Sequence, residues 1–577
     1  MTSYTENGDI ALATSGSACL DFFTQIVRGA DVEATLISFQ KAYLEDKECC
    51  IKILLNMRDA RTGKGEKLLP IVIMAALGLT VNGQFYEDLC RELVSYGCWK
   101  DLLRIREIYQ RTMLENDKSQ TWTNQVELRL FAEQLEHDWN CIQDEDLSVY
   151  NSETYKPVAI SLCAKWAPSE DTHFDHHPMK FTKSLASIMN LSLKDYRIRI
   201  SRLRKHLNIL ERLMSTGQYE SIDFSKIPSA AIRKHRNAFM RDSNAAGEES
   251  DERKELHCSY KKYLEELSCN KKKVNVAGTH PHELVGHYYS DGEFDQLIES
   301  QWEALMDRIK QTGVFRNVTA VVDVSGSMEG VPMLVSISLG LLVASLTEGA
   351  FHGQVITFHT NPSWFRVAGA TLKEKVRYLK NAPWGQSTNL RKVFELILQQ
   401  AREANLTQEE MIKTLFIFTD MQFDQAAGSP LESTFEFAKR AYHEAGYELP
   451  NVICWNLRSS VAKTMPVSKN EEGFAMLSGF SSELLKCILT GSEYTPLKMM
   501  KHALEPYSAP ESLAQTSNQL VFPFEMQHLV TAIEKSTIKK SFKKSDQSDT
   551  DSCLEHDRLA PPYDWPTQPF DPLIAYD

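Results

Sequence analysis

Residues 317–327 read Asn-Val-Thr-Ala-Val-Val-Asp-Val-Ser-Gly-Ser, and they decide the fold class of the second half of the chain. The first part is a short apolar, β-branched run that ends in the carboxylate of Asp323, which predicts a buried strand. The pattern returns at 412–420, where a continuous apolar run ends in Asp420. Helical stretches separate these runs. Strands that alternate with helices indicate a parallel α/β sheet covered on both faces.

Working outward from this stretch, the chain divides into three regions. Residues 313–500 form the predicted α/β domain, with further strands at 354–358, 364–367 and 452–456 and helices at 333–346, 372–379, 390–404, 435–445 and 481–489. Residues 1–312 repeat apolar side chains at separations of three and four, which predicts an all-α, helical-repeat-like region. Residues 501–577 are polar and end proline-rich, which predicts a partly disordered tail.

The composition limits the function classes. The 577 residues include 64 Lys and Arg against 77 Asp and Glu, a net charge of −13, which disfavours nonspecific coating of nucleic acid. The 12 cysteines form no CxxC pair, so we expect reduced thiols in a cytoplasmic protein. The longest apolar runs, such as 335–346, are shorter than the roughly 20 residues that a membrane span needs. No membrane association is therefore expected.

Five oxygen-bearing side chains are expected to gather at one edge of the predicted sheet. Asp323 and Asp420 end two strands, and ligands of open α/β sheets bind beyond the carboxyl ends of strands. Ser325 and Ser327 follow Asp323 at alternating positions, and Thr388 precedes a predicted helix. Carboxylates and hydroxyls are hard oxygen donors that suit Mg²⁺. The sequence therefore predicts a site for Mg²⁺ or another divalent cation.

This set resembles the von Willebrand factor A domain and its metal-ion-dependent adhesion site, over roughly residues 313–490. The resemblance implies a doubly wound, Rossmann-like α/β domain in which Ser325, Ser327 and Thr388 ligate the metal directly. Asp323 and Asp420 would often act through water. One departure is Met421, where many such domains carry glycine. An open metal position could accept a carboxylate from a partner protein.

Other interpretations of the same residues remain. Asp323 and Ser325 could only cap a helix and satisfy a turn, although a cap explains neither Thr388 nor Asp420. The site could also fold without binding a metal. Catalysis is not expected, because Ser325 lies in Asp-Val-Ser-Gly-Ser-Met rather than in GxSxG. We therefore predict a protein that is not an enzyme.

One segment of the helical region is sharply basic. Residues 196–242 contain eleven Lys and Arg against four acidic residues, in a chain that is acidic as a whole. Such a surface could hold RNA phosphates by charge and by the forked donors of arginine. The alternative is a solvated helix face that pairs with acids elsewhere.

Four phrases in the helical half carry a second resemblance: RDARTGKGE at 58–66, YGCWKDL at 96–102, KWAP at 165–168 and HPHEL at 280–284. They resemble an uncharacterised family in which a helical region precedes a von Willebrand A domain. The order and the first two phrases also resemble the TROVE module of Ro ribonucleoproteins. That module implies a ring of helical repeats that holds small noncoding RNAs and the ends of misfolded RNA. The same phrases could instead only hold helices together, with glycine turns and tryptophan anchors.

Two functions follow as hypotheses. The first is a noncatalytic RNA-binding scaffold that also carries a Mg²⁺-dependent ligand site. Its candidate RNA contacts are Arg58, Arg61, Lys64, Lys100, Arg197, Arg204 and Lys205. The second is a protein–protein adaptor that captures an acidic side chain of its partner at the metal site.

Overall fold

The protein is described from a computed structural model. The structure describes residues 2–81, 83–115, 125–143, 158–243, 247, 250–358, 361–382, 385, 388–424, 432–459, 464–491, 493–517, 520, 522 and 533.

The first half is helical, as the sequence predicts, but it begins with a short antiparallel hairpin of β1 (Thr2–Tyr4) and β2 (Ile10–Leu12). Strands of three residues are too short to leave a recognisable pattern. The helices that follow are α1 (Ala18–Gln25), α2 (Val32–Glu45), α3 (Lys47–Arg58), α4 (Leu69–Thr80), α5 (Gln84–Tyr96), α6 (Lys100–Glu115), α7 (Val126–Gln143), α8 (Cys163–Trp166), α9 (Phe181–Ile188), α10 (Leu193–His206), α11 (Leu210–Ser215), α12 (Ser229–Phe239), α13 (Asp251–Ser268), α14 (Pro281–Tyr289) and α15 (Gln296–Lys310).

Side-chain caps fix where several of these helices begin. Asp31 accepts a hydrogen bond from the backbone N–H of Ala34 at the start of α2. Asp46 ends α2 and accepts from the backbone N–H of Cys49 at the start of α3. Such caps satisfy N–H groups that have no partner within the helix. One aspartate therefore sets the sharp turn between two consecutive helices.

The second half contains a six-stranded sheet with helices between its strands. Its elements are β3 (Phe315–Arg316), β4 (Val318–Val322), α16 (Val331–Leu346), β5 (Thr347–Glu348), β6 (Gln354–Thr357), β7 (Ser363–Arg366), α17 (Leu372–Lys380), α18 (Leu390–Glu403), β8 (Thr414–Thr419), α19 (Thr434–Glu444), β9 (Asn451–Asn456), β10 (Phe474–Ser478), α20 (Leu484–Thr490) and α21 (Pro496–Leu504). The strand order is β10-β9-β8-β4-β6-β7, and β3 pairs separately with β5.

This sheet is mixed rather than wholly parallel. All its neighbouring pairs are parallel except β6 and β7, which run antiparallel. Strand β10 is not among the predicted strands, because it is fully buried and its short apolar run carries no periodicity. The connections run outward in opposite directions from β4 and β8. The point where the strand order reverses therefore lies between these two central strands.

The two halves share one hydrophobic core. A single cluster of buried side chains includes Phe22 and Phe39 of the first helices together with Val322 and Trp455 of the sheet. Smaller clusters lie farther out, one between residues 103 and 203 and another between residues 210 and 297. None of the helices in the described part of the chain is both long and apolar enough to cross a bilayer.

The predicted tail begins inside folded structure. Helix α21 crosses residue 501, and the ring of Tyr507 packs against that of Tyr96 at a tilt of 48°, with centroids 5.1 Å apart. The Tyr507 hydroxyl donates to Asp59 Oδ2 over 2.8 Å. The first part of the region predicted as a partly disordered tail, residues 501–517, is therefore ordered and packs on the N-terminal helices. The rest of the predicted tail lies largely outside the described residues, apart from 520, 522 and 533.

Candidate metal site and candidate RNA-binding residues

The register of the central strands brings the two predicted aspartates together. Val322 of β4 pairs with Phe418 of β8, so Asp323 lies level with Thr419, one residue before Asp420. Both aspartates are buried. The hydroxyl of Thr419 donates to Asp323 Oδ2 over 2.6 Å. Two carboxylates therefore meet where the strand order reverses, which is the ligand-binding position of open α/β sheets.

The two serines follow Asp323 in a tight turn. The backbone N–H of Ser325 donates to Asp323 Oδ1 over 2.9 Å, and Oγ of Ser325 lies 3.1 Å from Oγ of Ser327. Ser325 is buried, whereas Ser327 is exposed. Arg458, which follows β9, donates to the backbone carbonyl of Ser327. The turn thus places two adjacent hydroxyls next to Asp323, one on a buried residue and one on an exposed residue.

The loop after β8 holds Asp420 in a fixed position. The backbone N–H of Gln422 donates to Asp420 Oδ1 over 3.1 Å. Met421, between them, has a φ of +64° and a buried side chain. A positive φ is uncommon outside glycine, which explains why glycine suits this position. The methionine therefore adopts the backbone conformation that glycine favours.

Thr388 is linked to the other candidate side chains through the loop after β8. Its hydroxyl donates to the carbonyl of Gln422 over 2.8 Å and also lies 3.0 Å from Asp424 Oδ1. Its backbone N–H donates to Asp424 Oδ2 over 2.7 Å. The side-chain amide of Asn7 donates to Thr388 Oγ1 over 3.3 Å. Thr388 thus reaches Asp420 through Gln422.

The donor set fits a divalent cation. Burial raises the pKa of Asp323 to about 6, and the nearby carboxylate of Asp420 contributes to this rise, because neighbouring negative charges destabilise each other. A cation would relieve that repulsion, and the adjacent hydroxyls are ligands that Mg²⁺ accepts. The described part of the chain has no group of three or more His, Cys, Asp or Glu side chains suited to a metal. The two aspartates and the adjacent hydroxyls at the ends of β4 and β8 make up the candidate site.

Sequence reasoning missed three neighbours of this site. Asp424 binds Thr388 through both of its carboxylate oxygens. Asn7 reaches the site from the N-terminal hairpin, and Arg458 approaches from the end of β9. Asp424 lies four residues after Asp420, so the loop after the strand offered a signal for it. Nothing in the sequence marks Asn7 or Arg458, because both arrive by tertiary contact.

Three of the seven candidate RNA-binding residues are buried, so their side chains cannot contact RNA at the surface. Arg58 forms an ion pair with Asp101 over 2.7 Å. Lys64 donates to the carbonyl of Phe23 and, over 2.8 Å, to Ser478 Oγ. Burial lowers the pKa of Lys64 to about 7. Arg204 donates to backbone carbonyls and a serine hydroxyl near the end of α8. These cations hold helices together.

The other four candidates reach the surface. Arg61 is exposed and donates to the carbonyl of Ser95 over 2.9 Å. The ammonium of Lys100 lies 5.2 Å from the ring centroid of Trp166. Arg197 and Lys205 are exposed on α10. These four side chains lie at or near the surface, and Arg197 is already paired with Glu170 over 3.1 Å.

Much of the basic segment is neutralised by acids from other helices. Ion pairs join the arginines of residues 196–242 to α7, α14, the start of α15 and the loop after α8. The pairs are Arg199 with Glu136, Arg233 with Glu283, Arg236 with Asp295 and Arg197 with Glu170. The alternative interpretation of a face that pairs with acids elsewhere therefore accounts for part of the segment.

Two family models match this chain, one over each half. Residues 5–128 and 113–315 match a family model described as Domain of unknown function (DUF2828). A protein of Acanthamoeba polyphaga mimivirus, Uncharacterized protein L728, is 50% identical over 555 residues, which are 95% of this chain and 96% of the viral protein. The chain belongs to the DUF2828 family. Residues 317–525 of this DUF2828 protein also match a model described as Domain of unknown function (DUF7788).

Proposed function

We propose that this DUF2828 protein is a noncatalytic binding scaffold whose C-terminal half is a von Willebrand A-like domain. In this proposal the domain holds Mg²⁺ and uses it to capture a carboxylate of a protein partner. The observation that carries the proposal is the convergence of Asp323, Ser325, Ser327 and Asp420 at the ends of β4 and β8. The sheet order supports it, because counting the strands along the chain gives the order 3-2-1-4-5-6 of doubly wound folds.

The residues of the site have distinct roles in this proposal. Ser325, Ser327 and Thr388 would supply hydroxyl oxygens, and the two aspartates would supply charge and hold water. A bound Mg²⁺ favours oxygen ligands and keeps exchangeable water positions, one of which a carboxylate can take. Ser327 and Arg458 lie on the exposed side of the site, where a partner would approach.

Metal binding tests this proposal directly. Titration of the purified chain with Mg²⁺ in a calorimeter should give one site, and Asp323→Ala should abolish it. Asp251→Ala, which removes an exposed carboxylate from α13, is the matched control and should leave the site intact. A polyglutamate peptide on a sensor surface should then bind the wild-type chain with Mg²⁺ and not with chelator. Mg²⁺ binding that is unchanged in Asp323→Ala would reject the site.

RNA binding by the helical half is the second candidate function. It is favoured by α10, where the exposed residues Lys194, Arg197, Ser201 and Lys205 recur at separations of three and four. Such spacing places three cations along one face of the helix. RNA held by these cations should bind less tightly as salt rises, because phosphate contacts release counterions. Binding should survive chelation, since this face does not involve the metal site. Salt-independent binding would count against it.

A further inference from the structure

A pocket of about 440 Å³ lies between α10 and the start of α11. This volume falls in the range of roughly 300–1,000 Å³ that is usual for small-molecule sites. Its charged lining is one-sided, with four guanidinium groups and a single carboxylate. These residues are Arg197, Arg202, Arg204, Arg212 and Glu211.

Among the described residues, two acids near the pocket are already paired with cations. Glu211 pairs with Lys165 over 3.4 Å, and Glu170 pairs with Arg197 over 3.1 Å. Arg212 donates to the neutral side-chain carbonyl of Gln218, and Arg202 lies 5.9 Å from the ring centroid of Trp139. Neither of these two contacts neutralises a guanidinium charge. The pocket therefore carries a net positive charge that a bound anion would balance.

The uncharged part of the wall combines three isoleucines with Tyr196, Ser169 and Ser201. Ile198, Ile200 and Ile209 line the pocket beside the arginines. Ile198 is 42% exposed although it lies in the most basic helix of the chain. A simple anion would gain nothing from contact with this apolar surface, whereas the flat face of a nucleobase would pack against it and remove it from water. Apolar surface next to forked cationic donors is the combination that a nucleotide requires.

We propose that this pocket binds a nucleotide with a terminal phosphate, its base against the isoleucines and its phosphate against Arg202 and Arg212. A phosphate monoester carries a charge of about −1.5 to −2 and several acceptor oxygens, so it matches two guanidinium groups better than an internal phosphodiester does. The phosphorylated end of an RNA and a free mononucleotide share this chemistry. The inference deepens the second candidate function, because it names the part of an RNA that the helical half holds.

The test compares ligands that differ only in the phosphate. The probes are adenosine, adenosine 5′-monophosphate, and a fluorescent adenosine hexaribonucleotide with either a 5′-phosphate or a 5′-hydroxyl. We expect the phosphorylated hexamer to bind about tenfold more tightly than the hydroxyl form, because charge-assisted bidentate contacts are the strong ones. The free monophosphate should compete with it, and adenosine should not.

Variants with matched controls locate the binding. The double variant Arg202→Ala and Arg212→Ala should remove the preference for phosphate, whereas Arg199→Ala, on the same helix but outside the pocket lining, should keep it. Ile198→Glu should weaken binding of the phosphorylated hexamer about tenfold through charge repulsion. Leu193→Glu changes an equally apolar residue of α10 that is 37% exposed and lies outside the pocket, so it should have little effect.

The outcomes separate the pocket from RNA binding in general. RNA binding without phosphate preference, unchanged in Ile198→Glu, would overturn the pocket and leave RNA binding by the α10 face standing. Binding of the monophosphate, measured directly by calorimetry, without any binding of RNA would support the pocket and reject the RNA function. Binding of neither the monophosphate nor the phosphorylated hexamer would overturn both.

Discussion

The side chain of Asn7 is hydrogen-bonded to Thr388, although 381 positions separate the two residues in the sequence. The same amide donates to the carbonyl of Gln422 over 2.7 Å, and the hydroxyl of Thr5 donates to the carbonyl of Phe423 over 2.7 Å. The turn between β1 and β2 is thus fastened to the loop that follows Asp420. Part of the candidate metal site therefore depends on the first residues of the chain.

Asn7→Ala should weaken Mg²⁺ binding without unfolding the protein. The change removes two hydrogen bonds that hold Thr388 and Gln422 together, each with a net contribution of about 0.5–1.5 kcal/mol. We expect the dissociation constant for Mg²⁺, measured by calorimetry, to rise several-fold. Asn140→Ala, at an exposed position of α7, is the control. An unchanged dissociation constant would mean that the turn is not coupled to the metal site.

Arg58→Ala should strongly destabilise the fold. It removes the close cation of the fully buried carboxylate of Asp101 and leaves only Arg104, 4.0 Å away, so we expect a cost near the lower end of about 3–5 kcal/mol. Urea unfolding measures this loss, and Arg91→Ala, which removes surface ion pairs, should cost at most about 1 kcal/mol. The double variant Arg58→Met and Asp101→Asn should recover much of the stability. If it does not, another contact of Arg58 accounts for the loss.

Two stacked histidines should make stability depend on pH. Burial lowers the pKa of His280 to about 4 and holds that of His282 well below its ordinary value. As pH falls below about 6.5 the unfolded chain takes up protons first, so stability drops until pH reaches the folded pKa. His280 alone should reduce the free energy of unfolding by about 2 kcal/mol between pH 7 and pH 5.

Replacement of His282 tests this origin. Neither of its ring nitrogens has a hydrogen-bond partner among the described residues, and its ring lies 5.5 Å from that of Phe480. His282→Met should therefore be tolerated at pH 7 and should reduce the loss of stability at pH 5. His137→Gln, at an exposed histidine, should leave the pH profile as it is. A profile unchanged in both variants would assign the pH dependence to other groups.

Tyr507→Phe should show that residues beyond 500 belong to the folded structure. The hydroxyl donates to Asp59 and accepts from the side-chain amide of Asn56, and both partners are buried. Its removal leaves a buried carboxylate short of a donor, at a cost of about 1–3 kcal/mol in urea unfolding. Tyr378→Phe, at an exposed ring, should have no measurable effect. Equal stability of both variants would mean that the Tyr507 contacts add nothing.

The sequence predicted the features that depend on local apolar patterns and on the residues at which strands end. The strands before Asp323 and Asp420 and the helices between them lie where their apolar runs indicate. Burial of Arg58, Lys64 and Arg204 could not be read in the same way, because a charged side chain carries no sign of the carboxylate or carbonyls it will meet in space. The contact between Asn7 and Thr388 is hidden for the same reason.

The hydrogen bonds of the turn between β1 and β2 also impose an order on folding, because their partners lie far along the chain. Thr5 and Asp9 find their partners Phe423 and Thr434 only after more than 400 further residues have been made. At about 5–20 residues per second, the ribosome needs roughly 20–80 seconds to deliver them. During that interval the hairpin of β1 and β2 lacks the loop after β8, to which it is hydrogen-bonded in the folded protein. The candidate metal site therefore cannot be completed until the chain has been made through Asp424.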